Sequence, residues 1–100
     1  MQVKVQSIHF DADIKLIGFI EDKLRKLTLM HDRIIKSEVF LRIDKSDNME
    51  NKIAEIKLAI PGKELFAKKQ CRTFEEATDS AVEALRRQID KHKTKNSQAA

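Results

Sequence analysis

The sequence predicts an α+β domain in the order β-α-β-β-β-α, with a four-stranded mixed sheet and two helices packed on one of its faces. Three features of the 100 residues lead there. Four short runs alternate apolar and polar residues, two longer runs repeat apolar residues at helical spacing, and turn-forming residues separate them. Clean alternation in every strand leaves one sheet face buried and the other solvated, so both helices belong on the buried face. The first strand should lie parallel to the second, because a strand-helix-strand crossover between neighbours returns in the same direction.

The first strand covers Gln2 to Ile8, where Val3 and Val5 alternate with Lys4 and Gln6. Asp11 or Asp13 can cap the helix that follows, from about Asp13 to Leu29, whose apolar face carries Leu16, Ile17, Ile20, Leu24 and Leu27. Glu21 with Arg25 and Asp22 with Lys26 are acidic-then-basic pairs four residues apart, and Gly18 is the helix's weak point. Beyond His31-Asp32-Arg33, strand two sets Val39, Leu41 and Ile43 against Glu38, Phe40, Arg42 and Asp44. The segment from Asp44 to Lys52 has the composition of an exposed turn. Strand three sets Ala54, Ile56, Leu58 and Ile60 opposite Glu55, Lys57 and Ala59, and ends at Pro61-Gly62, where proline fixes φ and glycine tolerates positive φ. Strand four, Glu64 to Cys71, should return as a hairpin, Leu65 and Ala67 facing one way and Phe66 and Lys68 the other. Phe40 and Phe66 then share the solvated face and are expected to cover each other across the sheet. Thr73 and Glu76 form a capping box. Phe74, Ala77, Ala81, Val82, Leu85 and Ile89 make the stripe of a second helix reaching to about Lys93. Residues 1–95 are thus expected to form one domain, with 96–100 a flexible tail.

A chain of this length builds one hydrophobic core and leaves no room for a separate cofactor domain. No stretch approaches the roughly 20 apolar residues of a membrane span, and the alternating N-terminus does not read as a signal peptide. Cys71, the single cysteine, has no internal disulfide partner and is expected to be a half-buried strand residue. A soluble, cytoplasmic protein is the expectation. Catalysis needs convergent groups, and the candidates are few. His9, His31 and His92 are isolated and share no metal-ligand spacing with Cys71, so no metal site is expected. Gly18 and Gly62 are the only glycines, so no glycine-rich loop can cradle a phosphate. Most carboxylates pair with cations at helical spacing or lie in turns. The chain reads as a binding protein without cofactor, not an enzyme.

The net charge is +4, and its placement matters more than its size. Arg86, Arg87, Lys91, Lys93 and Lys95, less the single anion Asp90, give 5 − 1 = +4, so the rest of the chain is neutral overall. A basic segment on a neutral body suggests a polyanion-binding surface. Arg87, Lys91 and Lys95 recur every four residues and line one ridge, flanked by Arg86, His92 and Lys93. The competing explanation is the helix dipole, since Glu75, Glu76, Asp79 and Glu83 occupy the first half of the helix and the cations the second. Dipole compensation needs one or two cations within the last turn, whereas these span nearly three turns, so polyanion binding is favoured. On the first helix, Lys23 and Lys26 lie one turn apart beside the apolar face, where solubility and binding are equally good readings. RNA is favoured over DNA because no helix-turn-helix pattern is present and the element order is that of domains reading RNA shape through helix-borne cations. The aromatic strand motif and the GXXG loop of base-stacking RNA modules are both missing.

Over Val3 to Lys95 the chain resembles the short bacterial ribosome hibernation-promoting factors, also called ribosome-associated inhibitors or ribosomal subunit interface proteins. The resemblance rests on Phe19-Ile20 followed by Lys23-Leu24 and Lys26-Leu27, on Asp32-Arg33-Ile34, and on Val39-Phe40-Leu41-Arg42-Ile43. It is most specific in the second helix, at Phe74, Ala77, Asp79, Leu85, Arg87-Gln88-Ile89 and Lys91-His92-Lys93. It implies binding to the small ribosomal subunit in the cleft of mRNA and the tRNA anticodon ends, holding idle ribosomes inactive during stress or stationary phase. It further implies that Lys23, Lys26, Arg87, Lys91, His92 and Lys93 contact ribosomal RNA; the ridge itself adds Arg86 and Lys95. The family usually has a lysine where this chain has Ala84, which leaves the ridge one cation shorter at its N-terminal end. The sequence stops at Ala100, without the extra C-terminal domain by which long family members pair two ribosomes, so the resemblance implies that any pairing would need a separate modulation factor. The alternatives are a generic structured-RNA-binding domain and a regulatory module that binds acidic proteins.

Overall fold

A computed structural model describes residues 2–45 and 49–99, with side chains up to Lys91. The elements follow the expected order: β1 (Gln2–Ser7), α1 (Ile14–Met30), β2 (Lys36–Ile43), β3 (Lys52–Ile60), β4 (Lys63–Cys71) and α2 (Phe74–Ala99). The four strands form one sheet in the order β1-β2-β3-β4. β1 runs parallel to β2, and the other two pairings are antiparallel.

The local signals act where the chemistry places them. The Asp13 carboxylate caps α1 by accepting from the Lys15 amide at 3.3 Å, and the Thr73 hydroxyl caps α2 by accepting from the Glu76 amide at 3.1 Å. In the β3–β4 hairpin Ile60 pairs with Lys63, so Pro61 and Gly62 alone make the turn, with Gly62 at φ 76°. A positive φ at the second central position, after a proline whose φ is fixed negative at the first, is the pattern of a type II turn.

Register aligns the alternating residues into rows across the sheet. One row is Val5, Val39, Ile56 and Ala67, and the next is Val3, Ser37, Leu58 and Leu65. Ile20, Leu24 and Leu27 of α1 and Ala77, Ala81 and Leu85 of α2 close over these rows in one continuous core. Each large aliphatic side chain buried there contributes about 2 kcal/mol. α2 packs on β3 and β4, and α1 packs against α2 and β1. Phe10, after β1, stacks on Phe74 at the start of α2, ring centroids 5.2 Å apart. The helices run in the same direction, since Lys23 reaches Asp79 at 2.9 Å and His31, just past α1, lies 3.9 Å from Asp90.

Four expectations need correction. Phe40 and Phe66 do not cover each other, because β3 lies between their strands and separates them by two spacings, about 10 Å. Instead Lys57 lies over the Phe40 ring, 5.7 Å from its centroid, and Phe66 stays exposed. Ile43 ends its strand beyond the cover of the helices and is exposed, not core. Arg25 pairs with Asp22 at 3.0 Å, three residues back, rather than with Glu21. Finally, α2 continues to Ala99, past the expected end at Lys93 and through most of the segment read as a tail, because neither glycine nor proline interrupts the sequence after Gly62. Residues 46–48 of the expected turn between β2 and β3 lie outside the described residues.

Candidate nucleic-acid interface

The cations of the two helices fall on two sides of α2. Asp79 and Asp90 mark the side turned toward α1, through Lys23 and His31. Gln88 marks the other side, its amide donating to the Phe66 carbonyl of β4 at 3.0 Å. At 3.6 residues per turn, Arg86 stands two turns after Asp79 and shares the α1 side, whereas Arg87 and its successor Lys91 turn toward β4. The sequence sets Arg86 at the flank of the ridge; the structure turns it to the α1 side, with its guanidinium on Glu83 at 2.8 Å.

The exposed cations differ in how tightly they are held. Arg87 is the most exposed of the paired ones, its side chain 79% accessible and its Nε a loose 3.8 Å from Glu83. Lys91 and, on α1, Lys26 are exposed and form no ion pair among the described residues. Lys23 is tied to Asp79 and also lies over the Phe19 ring, 5.5 Å from its centroid. Lys23 therefore holds the helices together as well as presenting charge, a role invisible in sequence because its partner lies on the other helix. The side chains of His92, Lys93 and Lys95 lie outside the described residues, although their backbone belongs to α2.

On the opposite, solvated face of the sheet the register sets Lys4, Lys36, Arg42, Lys57 and Lys68 among Glu38, Glu55 and Glu64. Lys36 meets Glu38 at 3.6 Å, and Arg42 meets Glu55 at 3.5 Å. The cations expected to bind RNA lie on the helical side. One cation there went unremarked in the sequence. Lys69 follows Leu65 and Ala67 at two-residue steps and pairs in register with Ala54, so it projects on the helix side of β4. Extending the alternation of strand four by one step would have found it. Among the described residues, no group of three histidine, cysteine, aspartate or glutamate side chains could hold a metal ion, and no helix is long and apolar enough to cross a membrane.

The sequence matches the family model described as Sigma 54 modulation protein / S30EA ribosomal protein over residues 3–97. The ribosome hibernation promoting factor of Pseudomonas putida is 30% identical over 95 residues, covering 95% of this chain and 89% of the relative. That of Klebsiella oxytoca is 28% identical over 95 residues, covering 95% and 96%. Among solved structures, a ribosomal subunit interface protein from Coxiella burnetii superposes with a TM-score of 0.83 at 21% identity, covering 94% of this chain and 99% of that one. The N-terminal domain of Thermus thermophilus Protein Y superposes with a TM-score of 0.77 at 22% identity, covering 92% and 99%. A family match across nearly the whole chain, joined to relatives aligned almost end to end and to the same fold, makes this chain a member of the Sigma 54 modulation protein / S30EA ribosomal protein family, that of the ribosome hibernation promoting factors.

Proposed function

We propose that this protein is a ribosome hibernation factor that acts in the cytoplasm on the small ribosomal subunit. It binds where mRNA and the tRNA anticodon ends lie, through helix-borne cations that contact ribosomal RNA, and keeps idle ribosomes inactive under stress or in stationary phase. The observation that carries this reading is the position of Arg87 and Lys91 on α2. The helix ends at Ala99, and its last turn, Asn96 to Ala99, contains no cation. A dipole acts on charges within the last turn, so it does not account for cations well short of it. Exposed cations on one side of a rigid helix suit a phosphate backbone.

Inhibition follows from occupancy. Cations on helices hold RNA without altering it, so binding should exclude mRNA and tRNA from the small subunit and be reversed by high salt, which removes the gain from counterion release. The test is a filter-binding competition on purified small subunits, then a translation assay on salt-stripped ribosomes. The expected result is mutual exclusion and full recovery of activity. Simultaneous tight binding of protein, mRNA and initiator tRNA would overturn the occupancy mechanism, as would activity permanently lost after stripping.

A further inference from the structure

The groove between α2 and the outer strand β4 is lined by Lys69, Asp79, Ser80, Glu83, Ala84 and Arg87 and has a volume of about 360 Å³. We infer that it is a seat for one phosphodiester group of the bound RNA, with Lys69 and Arg87 as its cationic walls, which extends the RNA-binding surface from the helices onto the sheet edge. The inference rests on the reading of α2 as an RNA-binding face.

Three observations meet in the groove. Its floor on α2 is made of small side chains, Ser80 and Ala84, so the space stays open, on the order of ten water volumes. Its two carboxylates have their closest partners outside it, Asp79 with Lys23 at 2.9 Å and Glu83 with Arg86 at 2.8 Å, and Glu83 holds the groove's own Arg87 only at a loose 3.8 Å. Lys69 is exposed, faces Ala54 across the strands, and forms no ion pair among the described residues. A charge-free position one turn before Arg87 is thus bordered by a lysine from the neighbouring strand. Ala84 opens the seat, and Lys69 supplies the charge that α2 lacks there. The ordinary explanation for a lysine on an outer strand is protection against edge-to-edge pairing. Lys68 serves that purpose equally well and points to the opposite face, beside Glu55 in register, which makes it the natural control.

The experiment measures binding of the full chain to purified small ribosomal subunits over a range of salt concentrations. Lys69→Ala should weaken binding several-fold and lower the slope of log K against log salt by about 1, the loss of one phosphate contact. Lys68→Ala should leave both unchanged, and adding Ala84→Lys to Lys69→Ala should restore affinity by placing a cation in the same groove. Equal effects of Lys69→Ala and Lys68→Ala would overturn the seat. If Arg87→Ala weakens binding while Lys69→Ala does not, the seat is refuted and the α2 interface stands. If neither variant changes binding, the α2 interface falls with it.

Discussion

Thr78 is fully buried on the inner face of α2, and among the described residues its Oγ1 hydroxyl has no hydrogen-bond partner. Valine has the same branching and nearly the same volume without the unpaired polar atom. Thr78→Val should therefore raise stability by about 1 kcal/mol, read as a higher midpoint at unchanged slope in urea unfolding. An unchanged or lower midpoint would mean that the hydroxyl is satisfied in solution. Lys91 shows the converse, a charged group held by nothing in the described structure. Removing it should cost the fold almost nothing, but Lys91→Ala should reduce the salt slope of small-subunit binding by about 1. Residue identities made Lys91 and Arg87 legible in the sequence, because four-residue spacing alone puts them on one ridge. Lys23 was only half legible. Its charge was plain, but its bond to Asp79 crosses between helices, and local spacing carries no information about that.

The elements were legible to the extent that their determinants are local. Period-two alternation located β3 within the residues now seen, and the caps at Asp13 and Thr73 located both helix starts. Register is not local, and it decides which side chains on the solvated face meet. Phe40 and Phe66 lie on the correct face, yet the intervening β3 gives Phe40 to Lys57. The end of α2 is not legible for a different reason: polar composition suggests a stop, whereas lysine, glutamine and alanine are good helix formers. The hairpin between β3 and β4 depends on one residue. Gly62 occupies a left-handed φ of 76°, so Gly62→Ala should destabilise the protein by about 1 kcal/mol. A shift in unfolding midpoint measures this, and an unchanged midpoint would show that the turn relaxes to another type.

Across the whole molecule, charge and topology divide the labour. The sheet supplies a rigid support, and the two parallel helices carry the cations expected to bind RNA on the side away from it. The net +4 of the chain equals the charge of its segment from Arg86 to Lys95, so the positive charge is concentrated in the second half of α2, whose first half is acidic. The cations of the proposed interface are therefore legible in outline. What escaped were its contributions from tertiary neighbours, the bond that occupies Lys23 and the lysine that β4 adds beside Ala84. The most direct measurement is the affinity of the doubly reversed variant Arg87→Glu, Lys91→Glu for purified small ribosomal subunits at low and at physiological salt. Both side chains are exposed, so the variant should fold as the parent does. If α2 holds ribosomal RNA, binding collapses at both salt concentrations. Binding equal to that of the unaltered protein would contradict it and leave the cations of α2 without a ligand.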